Sequence, residues 1–132
     1  MGISQNKQIV REFFEAGNRG EMERCIELLA DDISWTDIGT TRFSGTYVGK
    51  EELSANLLGP LFGQLKAGIY STIENIVAEG QVVVVQSRGK AETVDGKPYN
   101  NTYCHIIRVR EGKIYEVTEY FDTALTNAVF GT

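Results

Sequence analysis

Apolar residues recur at helical spacing through the first third of the chain. Ile3, Val10, Phe13, Phe14 and Gly17 predict an amphipathic helix from Ile3 to Ala16, ended by Gly17-Asn-Arg-Gly20. Met22, Cys25, Ile26, Leu28 and Leu29 predict a second helix from Glu21 to Ala30, with acids in its first turn, and Asp31-Asp32 breaks the pattern. The period then changes. Ile33-Ser-Trp-Thr-Asp-Ile38 alternates as a half-buried strand does, and Gly39 to Tyr47, rich in Gly, Thr and Ser, reads as a loop. Gly49-Lys-Glu-Glu-Leu opens a third helix with Leu53, Leu57, Leu58, Leu61, Phe62 and Leu65 as its apolar positions. Gly59-Pro60 is expected to bend or interrupt it, because proline removes a donor and crowds the preceding turn.

The second half reads as strands: Ile69 to Ala78, Val82 to Thr93, Tyr99 to Arg110 and Lys113 to Phe121. Glu79-Gly-Gln, Asp95-Gly-Lys-Pro98 and Glu111-Gly112 are hairpin turns between them. In the second strand Gln86, Arg88, Lys90 and Glu92 alternate with Val85, Ser87, Gly89 and Ala91, so the inner face carries small residues and leaves room for a helix or a ligand. Asp122 is a good N-cap for a short closing helix. Three helices around one short strand, then four hairpin-linked strands, is an α+β pattern: a curved antiparallel sheet wrapped around helices with a cone-shaped pocket.

The last hairpin carries the chain's single histidine. With a three-residue loop and a glycine bulge, Val109 faces Tyr115, Ile107 faces Val117 and His105 faces Glu119, while Arg108 pairs with Glu116 on the other face. A one-residue slip mixes apolar and charged residues on both faces, which favours the first register. His105 and Glu119 then sit side by side on the apolar, concave face, where titratable groups point to a site. The alternative is a buried pair satisfied for structural reasons.

Composition narrows the function class. At 132 residues the chain reads as one domain, residues 1–132, with a real core. The net charge of −5 argues against nucleic acid or an anionic membrane as partner. The N-terminus lacks a signal-peptide pattern, no stretch reads as a membrane span, and Lys7 does not fit a myristoylation motif after Gly2. Cys25 and Cys104 are too few for a disulfide scaffold and suit a reducing cytoplasm. His105, Glu119 and Asp37 form a nitrogen-and-two-carboxylate set, but one histidine without ligand spacing argues against a metal. Neither metal nor cofactor is expected.

The element order, together with Leu28-Leu-Ala-Asp-Asp-Ile-Ser-Trp-Thr-Asp37, Ser44-Gly-Thr46 and Gly112-Lys-Ile-Tyr-Glu-Val-Thr-Glu-Tyr-Phe-Asp122, resembles the nuclear transport factor 2-like, or SnoaL-like, superfamily along essentially the whole chain. Its members include ketosteroid isomerases, polyketide cyclases, limonene epoxide hydrolases and scytalone dehydratases. The resemblance implies that Asp37 matches the general base of the isomerases. His105 falls at their oxyanion-hole aspartic acid, and Phe13 at their oxyanion-hole tyrosine. A phenyl ring cannot donate a hydrogen bond to an enolate. Against the cyclases, Glu119 matches the acid/base aspartate and His105 a pocket histidine. The Asp-Arg-Asp arrangement of the epoxide hydrolases has no counterpart.

The candidate catalytic residues are therefore Glu119, His105 and Asp37, with Arg42 as another possible partner for Glu119. Candidate ligand contacts are Phe13, Trp35, Phe62 and Phe121, joined by Tyr47, Asn101 and Tyr103, whose polar tips could orient a ligand. The expected function is cofactor-independent acid/base chemistry on a small apolar carbonyl compound, of isomerase, cyclase or dehydratase type, by a cytoplasmic homodimer joined through the outer sheet face. The alternatives are a small-ligand-binding protein without chemistry, which Phe13 motivates, and a dimeric interaction module whose pocket is filled by side chains.

Overall fold

The computed structural model describes residues 2–132. The elements are α1 (Ile3–Asn18), α2 (Met22–Glu27), β1 (Leu29–Asp37), β2 (Gly45–Val48), α3 (Lys50–Leu53), a π turn (Ser54–Leu58), α4 (Gly59–Phe62), β3 (Tyr70–Glu79), β4 (Val82–Lys90), β5 (Thr102–Arg110), β6 (Lys113–Phe121) and α5 (Thr123–Phe130). The six strands form one open sheet in the order β2-β1-β6-β5-β4-β3. β1 runs parallel to β6, and every other pairing is antiparallel, so the sheet is mixed where an antiparallel one was expected.

Several boundaries differ from the periodicity for identifiable reasons. β1 begins at Leu29, inside the segment assigned to the second helix. Leu29 pairs with Ile114, a bulge carries the exposed Asp31 and Asp32, and pairing resumes at Ser34. That bulge hides the strand's alternation. β2 lies within the segment read as a loop; it is a short, exposed edge strand paired only with β1, so it has no core-facing alternation. β4 ends at Lys90, and residues 91–101 form an irregular excursion tied by the Leu65–Thr93 and Glu92–Pro98 bridges.

Gly59-Pro60 does not break the third helix. Its backbone stays helical throughout, and the Gly59 N–H bonds to the Ser54 carbonyl five residues back. The wider π turn accommodates the missing N–H and the ring of Pro60. The β5–β6 hairpin also differs at its tip. Glu111 and Gly112, at φ 51° and 78°, make a two-residue turn, so Arg110 faces Lys113 and Val109 faces Ile114. A bulge at Tyr115 restores the expected register from Arg108–Glu116 onward, bringing Ile107 opposite Val117 and His105 opposite Glu119. Arg108 Nε donates to Glu116 Oε2 at 2.9 Å on the outer face.

The core lies between the inner sheet face and the helices. Val83 and Val85 from β4, Ile107 and Val109 from β5, and Ile114 and Val117 from β6 are buried under Val10 and Phe14 of α1 and Leu53 and Leu57 of the third helix. The Asn18 side chain clasps the backbone of Ser71, with Nδ2 donating to its carbonyl and Oδ1 accepting from its N–H, so the end of α1 is fastened to the edge strand β3. Asp122 caps α5 through the Leu125 N–H, and Phe130 packs edge-on to Phe43 and Tyr99.

Gly89 shows why the inner face of β4 needs a small residue. A Cβ there would lie 2.8 Å from Tyr103 Cε2 and 2.9 Å from Ile69 Cγ2, so the Tyr103 ring lies over the glycine. Replacing glycine by alanine at a compatible position stabilises by about 0.4–1 kcal/mol. Overpacking costs roughly 1–3 kcal/mol and should prevail here. Gly89→Ala is therefore expected to be net destabilised in urea titration; a gain in stability would show that Tyr103 moves freely.

Candidate functional site

The inner face of the sheet carries one polar row. Ile33, Trp35 and Asp37 alternate inward on β1, Tyr103, His105 and Ile107 on β5, and Val117 is the buried neighbour of Glu119 on β6. Because β6 lies between β1 and β5, Glu119 has Asp37 in register on one side and His105 on the other. The next row, Trp35–Val117–Ile107–Val83, is wholly apolar. Three titratable groups therefore occupy one rung of a greasy surface.

Their bonds form a chain. Trp35 Nε1 donates to Asp37 Oδ1 at 2.9 Å, the Asp37 carboxyl stands in register beside Glu119, and His105 Nε2 lies 2.6 Å from Glu119 Oε2. His105 Nδ1 is buried with no partner. An orphaned N–H is costlier than an orphaned lone pair, so neutral His105 carries its proton on Nε2 and donates it to Glu119. Phe14 meets the imidazole edge-on at 5.3 Å, Trp35 does so at 6.2 Å, and Tyr103 stacks on it at 5.7 Å.

Burial dominates the proton affinities. It raises the Asp37 carboxyl to about 9, with the neighbouring Glu119 charge adding to the effect. It raises Glu119 to about 7, opposed by the hydrogen bond from Asp37. It lowers His105 to about 4 against the pull of Asp37. Two carboxyls this close share one proton, which resides on Asp37 near neutrality. Burial also raises the Tyr103 phenol, and the Glu119 charge raises it further.

A cavity of about 140 Å³ lies against this row. Phe13, Trp35, Phe62, Tyr103 and Phe121 line it, as do Asp37, His105 and Glu119. Asp37 and His105 are buried, at 4% and 5% exposure, while Glu119 is only partly buried, so Glu119 is the most accessible of the three. Three sequence-based expectations fail here. Tyr47 does not line the cavity; it pairs with Trp35 across the β1–β2 ladder and donates its hydroxyl to the Phe43 carbonyl. Asn101 is equally occupied elsewhere: its Nδ2 donates to the Asp122 carbonyl and its Oδ1 accepts from the N–H groups of Thr102 and Asp122, which ties β5 to the start of α5. Arg42 does not partner Glu119 either; it donates to the Phe130 carbonyl at 2.8 Å.

Periodicity placed other wall residues in the core without marking them as site residues. Phe14, Leu53, Leu57, Leu58, Leu61, Tyr99 and Thr126 line the cavity. No local pattern separates a core leucine from a wall leucine. Among the described residues no group of three His, Cys, Asp or Glu is arranged to hold a metal ion. His105 Nε2 and Glu119 Oε2, the atoms such a site would use, are turned on each other. No helix among the described residues is long and apolar enough to cross a membrane.

The buried carboxyls set a pH dependence of stability. The unfolded chain releases the Asp37 proton above pH about 4, whereas the folded chain holds it until about 9. Rising pH between these values therefore favours unfolding, by roughly 1.4 kcal/mol per pH unit for one retained proton. The melting temperature should fall between pH 5 and 9, and Asp37→Asn should flatten that slope and raise stability at pH 8. An unchanged slope would show that Asp37 is ionised in the folded protein.

The family model described as a SnoaL-like domain matches residues 10–117. No curated protein matches this chain in sequence. Among solved structures, an NTF2-like protein of unknown function from Burkholderia pseudomallei superposes with a TM-score of 0.86 at 24% identity, covering 100% of both chains. A Bacillus subtilis protein proposed to be an isomerase gives 0.85 at 17% identity, over 100% of this chain and 98% of that one. An LEH-like epoxide hydrolase of M. tuberculosis gives 0.77 at 20% identity, over 95% and 88%. These likenesses show a shared fold, and together with the domain match they establish that the chain belongs to the SnoaL-like family, with the architecture of NTF2-like proteins.

Proposed function

We propose that this protein is a cofactor-independent acid/base enzyme of the isomerase, cyclase or dehydratase type, acting on a small apolar carbonyl compound. One observation carries the reading. Glu119 is the least buried of the three titratable groups on the cavity wall, and it lies between the Asp37 carboxyl and the His105 imidazole, which holds one of its oxygens. Its proton affinity is raised to about 7, near the working pH at which a general base is most effective.

In the proposed step, Glu119 takes a proton from the carbon next to the carbonyl. The C–H electron pair moves into a new C=C bond, and the carbonyl π pair moves onto oxygen. Glu119, now neutral, returns the proton to another carbon of the enolate or to its oxygen. His105 fixes the carboxylate through Nε2–H, and Asp37 remains a neutral donor to it, held by Trp35. Phe13 offers no donor to the enolate oxygen; the Tyr103 hydroxyl, close enough to Glu119 to feel its charge, is an O–H on the cavity wall.

Phe13 also supports a second reading, a binding protein that keeps the pocket without turnover. Exchange of α-protons into D₂O, followed by NMR on simple cyclic ketones, separates the two. The wild type should accelerate exchange, and Glu119→Gln should lower the rate about 10²–10⁴-fold. Asp37→Asn should lose less, since an amide N–H replaces the donor that the neutral acid supplies. The rate should rise with pH through about 7 and decline as the Asp37 proton leaves near 9. Loss in Asp37→Asn with full activity in Glu119→Gln would reverse the assignment, and no exchange in any variant would leave the binding reading.

A further inference from the structure

The size of the cavity and the charges on its wall restrict the ligand further than the chemistry of the polar row does. We infer that the site takes a neutral molecule of about one six-membered ring, carrying a single carbonyl, and rejects both polycyclic and anionic ligands; this rests on the reading of the cavity as a substrate site.

Three observations support it. First, the cavity volume is about 140 Å³. Pockets for drug-sized ligands span roughly 300–1,000 Å³, and an apolar cavity of about 150 Å³ holds benzene. A four-ring fused skeleton is larger than that space. The wall cannot easily retreat, because much of it is core: Leu53, Leu57, Leu29 and Phe14 line the cavity and are also buried in the main cluster.

Second, no lysine or arginine lines the cavity, while two carboxyls do. The nearby cation Arg42 is turned to the Phe130 carbonyl. An anionic ligand would lose its hydration, meet no counter-charge and lie beside Glu119. Third, the charge on Glu119 is already engaged by His105 Nε2–H, which weakens its pull on a cationic ligand. What remains is an apolar space with a few polar atoms at one end, which suits a ring bearing one polar group.

Trp35 makes the test direct. It is the single tryptophan of the chain and lines the cavity beside His105, so its fluorescence reports occupancy without turnover. The probes are 1-cyclohexylethanone, cyclohexanecarboxylate, cyclohexylmethylamine and a four-ring steroid ketone, titrated at pH 8. The neutral ketone should bind at least tenfold more tightly than the carboxylate or the amine, and the steroid should not quench Trp35 at its solubility limit. Leu57→Ala, which enlarges the wall, should bring the steroid's affinity up relative to the ketone's, and Glu119→Gln should narrow the gap between ketone and carboxylate. Equal binding of the steroid, equal or better binding of either charged probe, or no binding of the ketone would overturn the inference. Because binding is read separately from α-proton exchange, ketone binding without exchange would reject the catalytic proposal and leave this one standing. Exchange on polycyclic ketones would do the reverse.

Discussion

Everything at the site depends on β6 lying between β1 and β5. A strand with neighbours on both sides gives each inward residue two cross-strand partners, and at Glu119 those partners are Asp37 and His105. Had β6 been an edge strand, Glu119 would have kept one partner and a hydrated flank, and burial would not have raised its proton affinity. The parallel β1–β6 pairing is the unusual part. It joins segments about eighty residues apart in the sequence, and it converts a histidine–carboxylate pair into a row of three titratable groups.

The apolar surroundings supply the rest. In water, Asp37 and Glu119 would both be ionised at neutral pH and repel each other. Under Trp35, Phe14 and Tyr103 the cost of two buried charges is too high, and the pair resolves into one acid and one base. The same environment keeps His105 neutral and leaves its second nitrogen bare. A fold stabilised by apolar packing thus keeps neighbouring titratable groups in different protonation states near pH 7, at a cost to stability that grows with pH.

What could be read from the sequence was local. The His105–Glu119 contact follows from one hairpin, whose alternation tolerates a single register even though the turn is a residue shorter than expected. Asp37 was a candidate only through its resemblance to a known base; its place beside Glu119 depends on a long-range parallel pairing that no pattern of neighbours encodes. β2 was missed because an edge strand of four residues buries too little to alternate. Tyr47 and Asn101 were misjudged because a polar tip says nothing of its direction: one bonds to a backbone carbonyl and the other holds a strand to a helix.

The π turn before Pro60 has a consequence for the shape of the cavity. On a regular helix successive side chains diverge by about 100°. In the wider turn of Ser54–Leu58 the angle per residue is smaller, and Leu57 and Leu58 both reach the cavity wall. A proline that cannot donate a hydrogen bond thereby acts as a spacer. It adds a second leucine to the lining without lengthening the helix, and a one-residue deletion there would reshape the binding volume while leaving the sheet and its proton-sharing row untouched.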